Sequence, residues 1–76
     1  MVQRPKGDNT MLRFVVERKR RGLTQLEVSR RGRMAPADVS RIENGRARPY
    51  PGQLRRLARA IGWPVADAEA LLERVE

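Results

Sequence analysis

The 76-residue sequence predicts an all-α fold, five short helices around one small core. Three observations predict it. Apolar residues recur at i, i+3, i+4 spacing in successive segments, Gly or Pro punctuates the chain between them, and no stretch alternates polar and apolar with a period of two. A chain this short forms one domain and buries only about 60–65% of its unfolded surface.

Each element follows from its own signals. Residues 1–8, MVQRPKGD, carry Pro, Gly and charge without periodicity and read as a flexible basic arm; residues 9–76 read as the folded domain. Met11, Phe14 and Val15, with Leu12 and Val16, have helical spacing and predict a helix over about 10–21 that stops at Gly22. Thr24 and Glu27 form a capping box that starts a second helix over 24–31, with Leu26 or Val28 inward. A turn at Gly32-Arg33-Met34 follows. Pro36 suits the first position of a third helix, 36–44, because its missing N–H costs nothing there. Val39 and Ile42 give that helix an inner face, and Asn44-Gly45 ends it. Pro51 opens a fourth helix, 51–61, whose apolar residues Leu54, Leu57, Ala58 and Ile61 stop at Gly62. Val65, Ala68, Leu71/Leu72 and Val75 make the stripe of a fifth helix over 65–75.

Composition narrows the function. There is no cysteine and no histidine, which removes disulfides, thiolate nucleophiles, imidazole acid–base chemistry and nearly all zinc sites. No metal, cofactor, small-molecule ligand or enzymatic activity is expected. No apolar run approaches the roughly 20 residues of a membrane span, and the N-terminus lacks a signal peptide's apolar region; a cytoplasmic, nucleoid-associated protein without a membrane partner is expected. The net charge is +8, and its distribution is uneven. Residues 1–59 hold sixteen basic and five acidic groups, whereas residues 60–76 hold one basic and four acidic. The basic part, nearly all arginine, is built to meet a polyanion and the acidic end is not. Arginine's planar, multi-donor head suits phosphates and base edges.

Two short helices, 24–31 and 36–44, joined by a turn of three or four residues, make a helix-turn-helix, whose second helix lies in the DNA major groove. Four motifs strengthen this. Arg18 with Gly22-Leu23-Thr24-Gln25, then Val39–Gly45, then Arg46, Arg48 and Pro49, then Leu54–Gly62, together resemble the Cro/phage-repressor (XRE-like) helix-turn-helix family over residues 11–65. The resemblance implies a compact, lambda-repressor-like five-helix domain that binds double-stranded DNA. It implies a regulator of transcription, expected to be a repressor acting as a homodimer on a pseudo-palindromic operator. An antitoxin or protein-interaction module of a toxin–antitoxin pair is the alternative use of the same fold.

Residue roles carry over by position. The implied DNA-facing set is Thr24, Gln25, Arg33, Ala35, Pro36, Ala37, Asp38, Ser40, Arg41, Asn44, Arg46 and Arg48. Gln25 matches a bracing, phosphate-touching glutamine, and Asn44, Arg46 and Arg48 match a loop that grips phosphates. Arg18 and Glu43 match a structural ion pair tying the first helix to the end of the third. Arg41 is the candidate reader, since a guanidinium takes guanine O6 and N7 together; a phosphate contact is its plainer use. Asp38 either accepts from cytosine or complements the helix dipole. Arg30, Arg31 and Arg33, crowded at the turn, are expected near phosphates. Trp63 is either a stacking platform or an apolar plug. With Val65, Ala68, Leu72 and Val75 it forms the expected dimer interface.

Three positions depart from the family. Glycine usually stands where Arg33 does, so either the turn shifts to Gly32 or Arg33 is left-handed at a cost of about 1–2 kcal/mol. Ala35 and Tyr50 replace the usual caps, and losing a cap costs about 1 kcal/mol. The prolines at 36 and 51 leave those helix starts resting on backbone preorganisation.

Overall fold

A computed structural model describes residues 11–75; the N-terminal arm and the first residue of the expected first helix, Thr10, lie outside them. The order is β1 (Met11–Leu12), α1 (Arg13–Arg20), α2 (Gln25–Gly32), α3 (Pro36–Glu43), α4 (Pro51–Ala60), a 3-10 helix (Val65–Leu72) and β2 (Arg74–Val75). Phe14 of α1, Val28 of α2, Val39 and Ile42 of α3, and Leu57 of α4 meet in one core. Of the two candidates on α2, Val28 is fully buried while Leu26 is 47% exposed.

Every α-helix closes with the same hydrogen-bond pattern. In α2, the Met34 N–H donates to the Ser29 carbonyl at 2.9 Å and the Arg33 N–H to the Arg30 carbonyl at 3.3 Å. This is a Schellman closure, which needs a left-handed residue after the helix. In α1, α3 and α4 that residue is glycine; in α2 it is Arg33, at φ 53° and ψ 49°. The turn has therefore not shifted. Gly32 is the last residue of α2 and is buried against α4, where a Cβ would make only ordinary contact, 3.6 Å from the Arg56 carbonyl oxygen. The starts differ too. Thr24 and Glu27 form the expected capping box, and hydrogen bonding from the Thr24 backbone N–H holds the Glu27 carboxyl below its ordinary range. Ala35 supplies no side-chain cap to α3. At α4, Gln53 accepts from the Tyr50 N–H at 3.0 Å, restoring half of a capping box.

The chain ends correct two expectations. The first helix begins only at Arg13, because Met11 and Leu12 are extended (Leu12 ψ 142°). The segment 65–75 is not one α-helix. It is a 3-10 helix that stops at Leu72, followed by extended residues, and Val75 lies in β2 rather than on a helix. β1 and β2 pair antiparallel, Met11 opposite Val75 and Leu12 opposite Arg74, extended by a 2.7 Å bond from the Arg13 N–H to the Glu73 carbonyl. A 3-10 helix repeats every three residues and eclipses i with i+3. The segment is kinked at Asp67 (φ −106°), and beyond the kink Ala68 and Leu71 share one buried face, Leu71 fully buried where an α-helical stripe would have used Leu72. Ala68, 5% exposed, is spent on its own core and is not available to a dimer interface. Trp63, Val65 and Leu72 pack against that core while staying partly exposed.

Arg33 in the left-handed region strains the free protein. Arg33→Gly should raise unfolding free energy by several tenths of a kcal/mol to about 1 kcal/mol, the relieved strain being partly offset by glycine's larger unfolded-state entropy. Denaturant titration measures it; unchanged or reduced stability would mean that the Arg33 side chain makes contacts that outweigh the strain.

Candidate nucleic-acid interface

A side-chain network holds the helix-turn-helix to α1. Arg18 Nε donates to Glu43 Oε2 at 2.7 Å and Nη2 to Oε1 at 3.1 Å, a two-bond fork between guanidinium and carboxylate. The remaining Nη1 donates to the Leu23 carbonyl at 2.6 Å, while Leu23's N–H donates back to the Arg18 carbonyl at 3.1 Å. Glu43 Oε1 also accepts from Gln25 Nε2 at 2.8 Å. Four points of the chain converge: the end of α1, the α1–α2 turn, the first residue of α2 and the last residue of α3. A carboxylate at a helix C-terminus is disfavoured by about 0.3–1 kcal/mol. Hydrogen bonds to charged groups contribute about 1.5–3 kcal/mol each, so three of them win.

With Val39 and Ile42 facing inward, α3 turns Pro36, Ala37 and Arg41 outward and leaves Asp38 and Ser40 at its flanks. Arg41 and Asp38 touch through Nη1 and Oδ1 at 3.5 Å, both largely exposed. Such a contact is worth less than about 1 kcal/mol, so it leaves Arg41 free to move to a base. Asn44 donates to Ser40 Oγ at 3.4 Å. In the loop that follows, buried Pro49 anchors the chain and Arg46 and Arg48 stay exposed. Thr24 and Ala35 are exposed beside the same face; the Thr24 hydroxyl is occupied by the Glu27 N–H. Gln25 spends one amide hydrogen on Glu43 and keeps a second.

The arginines crowded at the turn separate. Arg31 does not point toward the reading side: its Nη1 donates to the Ala60 carbonyl of α4 at 3.3 Å, where a cation complements the helix dipole. Arg30 and Arg33 remain exposed. In the run 18–21, Arg18 is internal, while Arg21 and Arg20 reach Glu17 at 2.6 and 3.3 Å. The Arg21 hydrogen bond chiefly holds the Glu17 carboxyl below its ordinary range. Those pairs were legible as i, i+4 and i, i+3 spacings; the Arg31 contact, between residues far apart in sequence, was not. Trp63 donates from Nε1 to the Asp67 carbonyl at 2.9 Å and packs on the core, which favours a plug over a stacking platform.

The sequence matches the helix-turn-helix domain family over residues 16–71. No curated protein and no solved structure gave a significant match.

Breaking the network from one side strands a charge. Glu43→Ala should cost up to about 3 kcal/mol, and the Arg18→Ala/Glu43→Ala double variant less than the sum of the singles. Chemical unfolding of the four proteins measures the coupling; a value under about 0.5 kcal/mol would show that the fork does not tie α1 to α3.

Proposed function

The chain belongs to the helix-turn-helix domain family, which implies DNA binding, and we propose that it is a sequence-specific regulator of transcription. The observation that carries this reading is the outward face of α3. It is held in aim by the buried Arg18–Glu43 fork and flanked by the exposed arginines of the following loop. Arg41 reads a base edge, and Arg46 and Arg48, with Asn44, grip the phosphates on either side. Pro36 and Ala37 offer only apolar contact, so DNA shape and deformability contribute to specificity. Repression needs nothing beyond occupancy of promoter DNA. The working form is a two-fold dimer with recognition helices about one DNA turn, roughly 34 Å, apart. Its joint is the acidic C-terminal end, where Trp63, Val65, Leu72 and Val75 keep partly exposed apolar surface.

Duplex binding should be steeply salt-dependent, with log K falling against log[salt] at a slope near about −7 for a dimer making about eight phosphate contacts. Arg46→Ala should weaken all sequences alike, whereas Arg41→Ala should cost about 1–3 kcal/mol at one base pair per half-site. Fluorescence titration against selected and random duplexes separates the two. Equal loss on both kinds of duplex removes Arg41 as the reader.

The dimer is checked by sedimentation of the protein free and on a full-site duplex. Two chains per full site are expected, and Trp63→Ala should shift assembly toward one chain. A single chain in both conditions rejects the two-fold arrangement.

A further inference from the structure

Arg74 is the one basic residue in an otherwise acidic segment of residues 60–76. Sequence position puts it at the end of the chain directed away from phosphates, but topology does not. The β1–β2 pairing sets Arg74 opposite Leu12 and returns it to the loop after α3. There its guanidinium lies against the backbone: a Cβ on Gly45 would stand 3.0 Å from Arg74 Nη2.

Arg74 and Arg48 line one cleft of about 230 Å³, with Leu12, Ile42 and Leu72 as its apolar part. Among the described residues no carboxylate lines this cleft and no salt bridge engages either guanidinium. Two like charges sharing one cleft repel, and an apolar wall lowers the local dielectric and strengthens that repulsion. An anion between them reverses the sign of the interaction. Planar, multi-donor guanidinium groups match phosphate oxygens. The cleft borders the Arg46–Arg48 stretch, so the phosphate nearest to hand is the DNA backbone.

We propose that Arg48 and Arg74 jointly hold one backbone phosphate of bound duplex, making the C-terminal strand part of the DNA-binding surface. The inference rests on the DNA-binding reading and goes beyond it. Arg74's backbone pairs with Leu12 whatever its side chain, so Arg74→Gln keeps the strand pairing, and Arg74→Lys keeps the charge as well.

Binding to a labelled random-sequence duplex between about 50 and 200 mM salt tests the assignment. Arg74→Gln should weaken binding roughly 3- to 10-fold and make the salt dependence shallower, by the same factor on selected and random duplexes. Arg74→Lys should retain most of the slope. Arg48→Gln should behave like Arg74→Gln, and the double variant should lose less than the product of the two, because both groups serve one phosphate. Wild-type binding and slope in Arg74→Gln, alongside a loss in Arg48→Gln, overturn the role of Arg74 and leave the DNA-binding reading intact. A fully multiplicative double variant overturns the shared phosphate. A wild-type protein without salt-dependent duplex binding overturns both the reading and the inference.

Discussion

The outward face of α3 is positioned by one buried charge pair. Arg18 donates three hydrogen bonds within the fold, two to Glu43 and one to the Leu23 carbonyl, and Glu43 also accepts from Gln25. The net stabilisation from a buried ion pair is small once desolvation is counted, and an apolar replacement of equal volume often does as well. What an apolar replacement lacks is direction. A forked guanidinium–carboxylate contact has one good geometry, so it sets where α3 ends relative to α1 and where α2 begins. A core as small as this one packs mainly Leu, Val, Ile and Ala, which tolerate small rotations. The fork removes that freedom at the point where the outward face of α3 is aimed.

Helix ends supply the second constraint. Elements of eight to ten residues are too short to be stable by propensity, so their ends and their packing decide them. All four α-helices stop with the same Schellman closure, and three use glycine. Arg33 accepts strain at the fourth, in the turn that leads into α3, and places an exposed cation there. The beginnings of α3 and α4 rely on proline instead of a side-chain cap. Its φ is already near the helical value and its absent N–H leaves nothing to satisfy.

Charge is organised by position in space more than by position in sequence. Arg31 leaves the cluster of the turn to serve the carbonyl end of α4, and Arg20 and Arg21 settle on Glu17. Arg46 and Arg48 remain exposed in the loop after α3 and form no salt bridge among the described residues, and the sheet brings Arg74 into the cleft that Arg48 lines. The excess positive charge is thus divided between groups that stabilise the fold and groups available to a polyanion. Counting residues does not show that division.

The sequence by itself determined the helical class, the helix breaks at Gly22, Gly45 and Gly62, the prolines that open α3 and α4, and the Thr24–Glu27 box. Each is a local rule acting within one turn of helix. The Arg18–Glu43 pair was legible only through resemblance to a family, since nothing local joins residues so far apart. Tertiary structure alone decided the rest. Strands of two residues carry no alternation to detect, and β1 and β2 exist because packing brings the two ends of the domain side by side. In the last helix, kinked at Asp67, a three-residue spacing buries Ala68 and Leu71 together, a choice that the apolar spacing of Val65, Ala68, Leu71, Leu72 and Val75 left open. Arg33 and Gly32 stood as equal candidates for the turn until the Schellman closure put the left-handed conformation at Arg33. For the strands and the last helix, long-range packing selected among local conformations that differ by only about 1 kcal/mol, less than short-range rules can resolve.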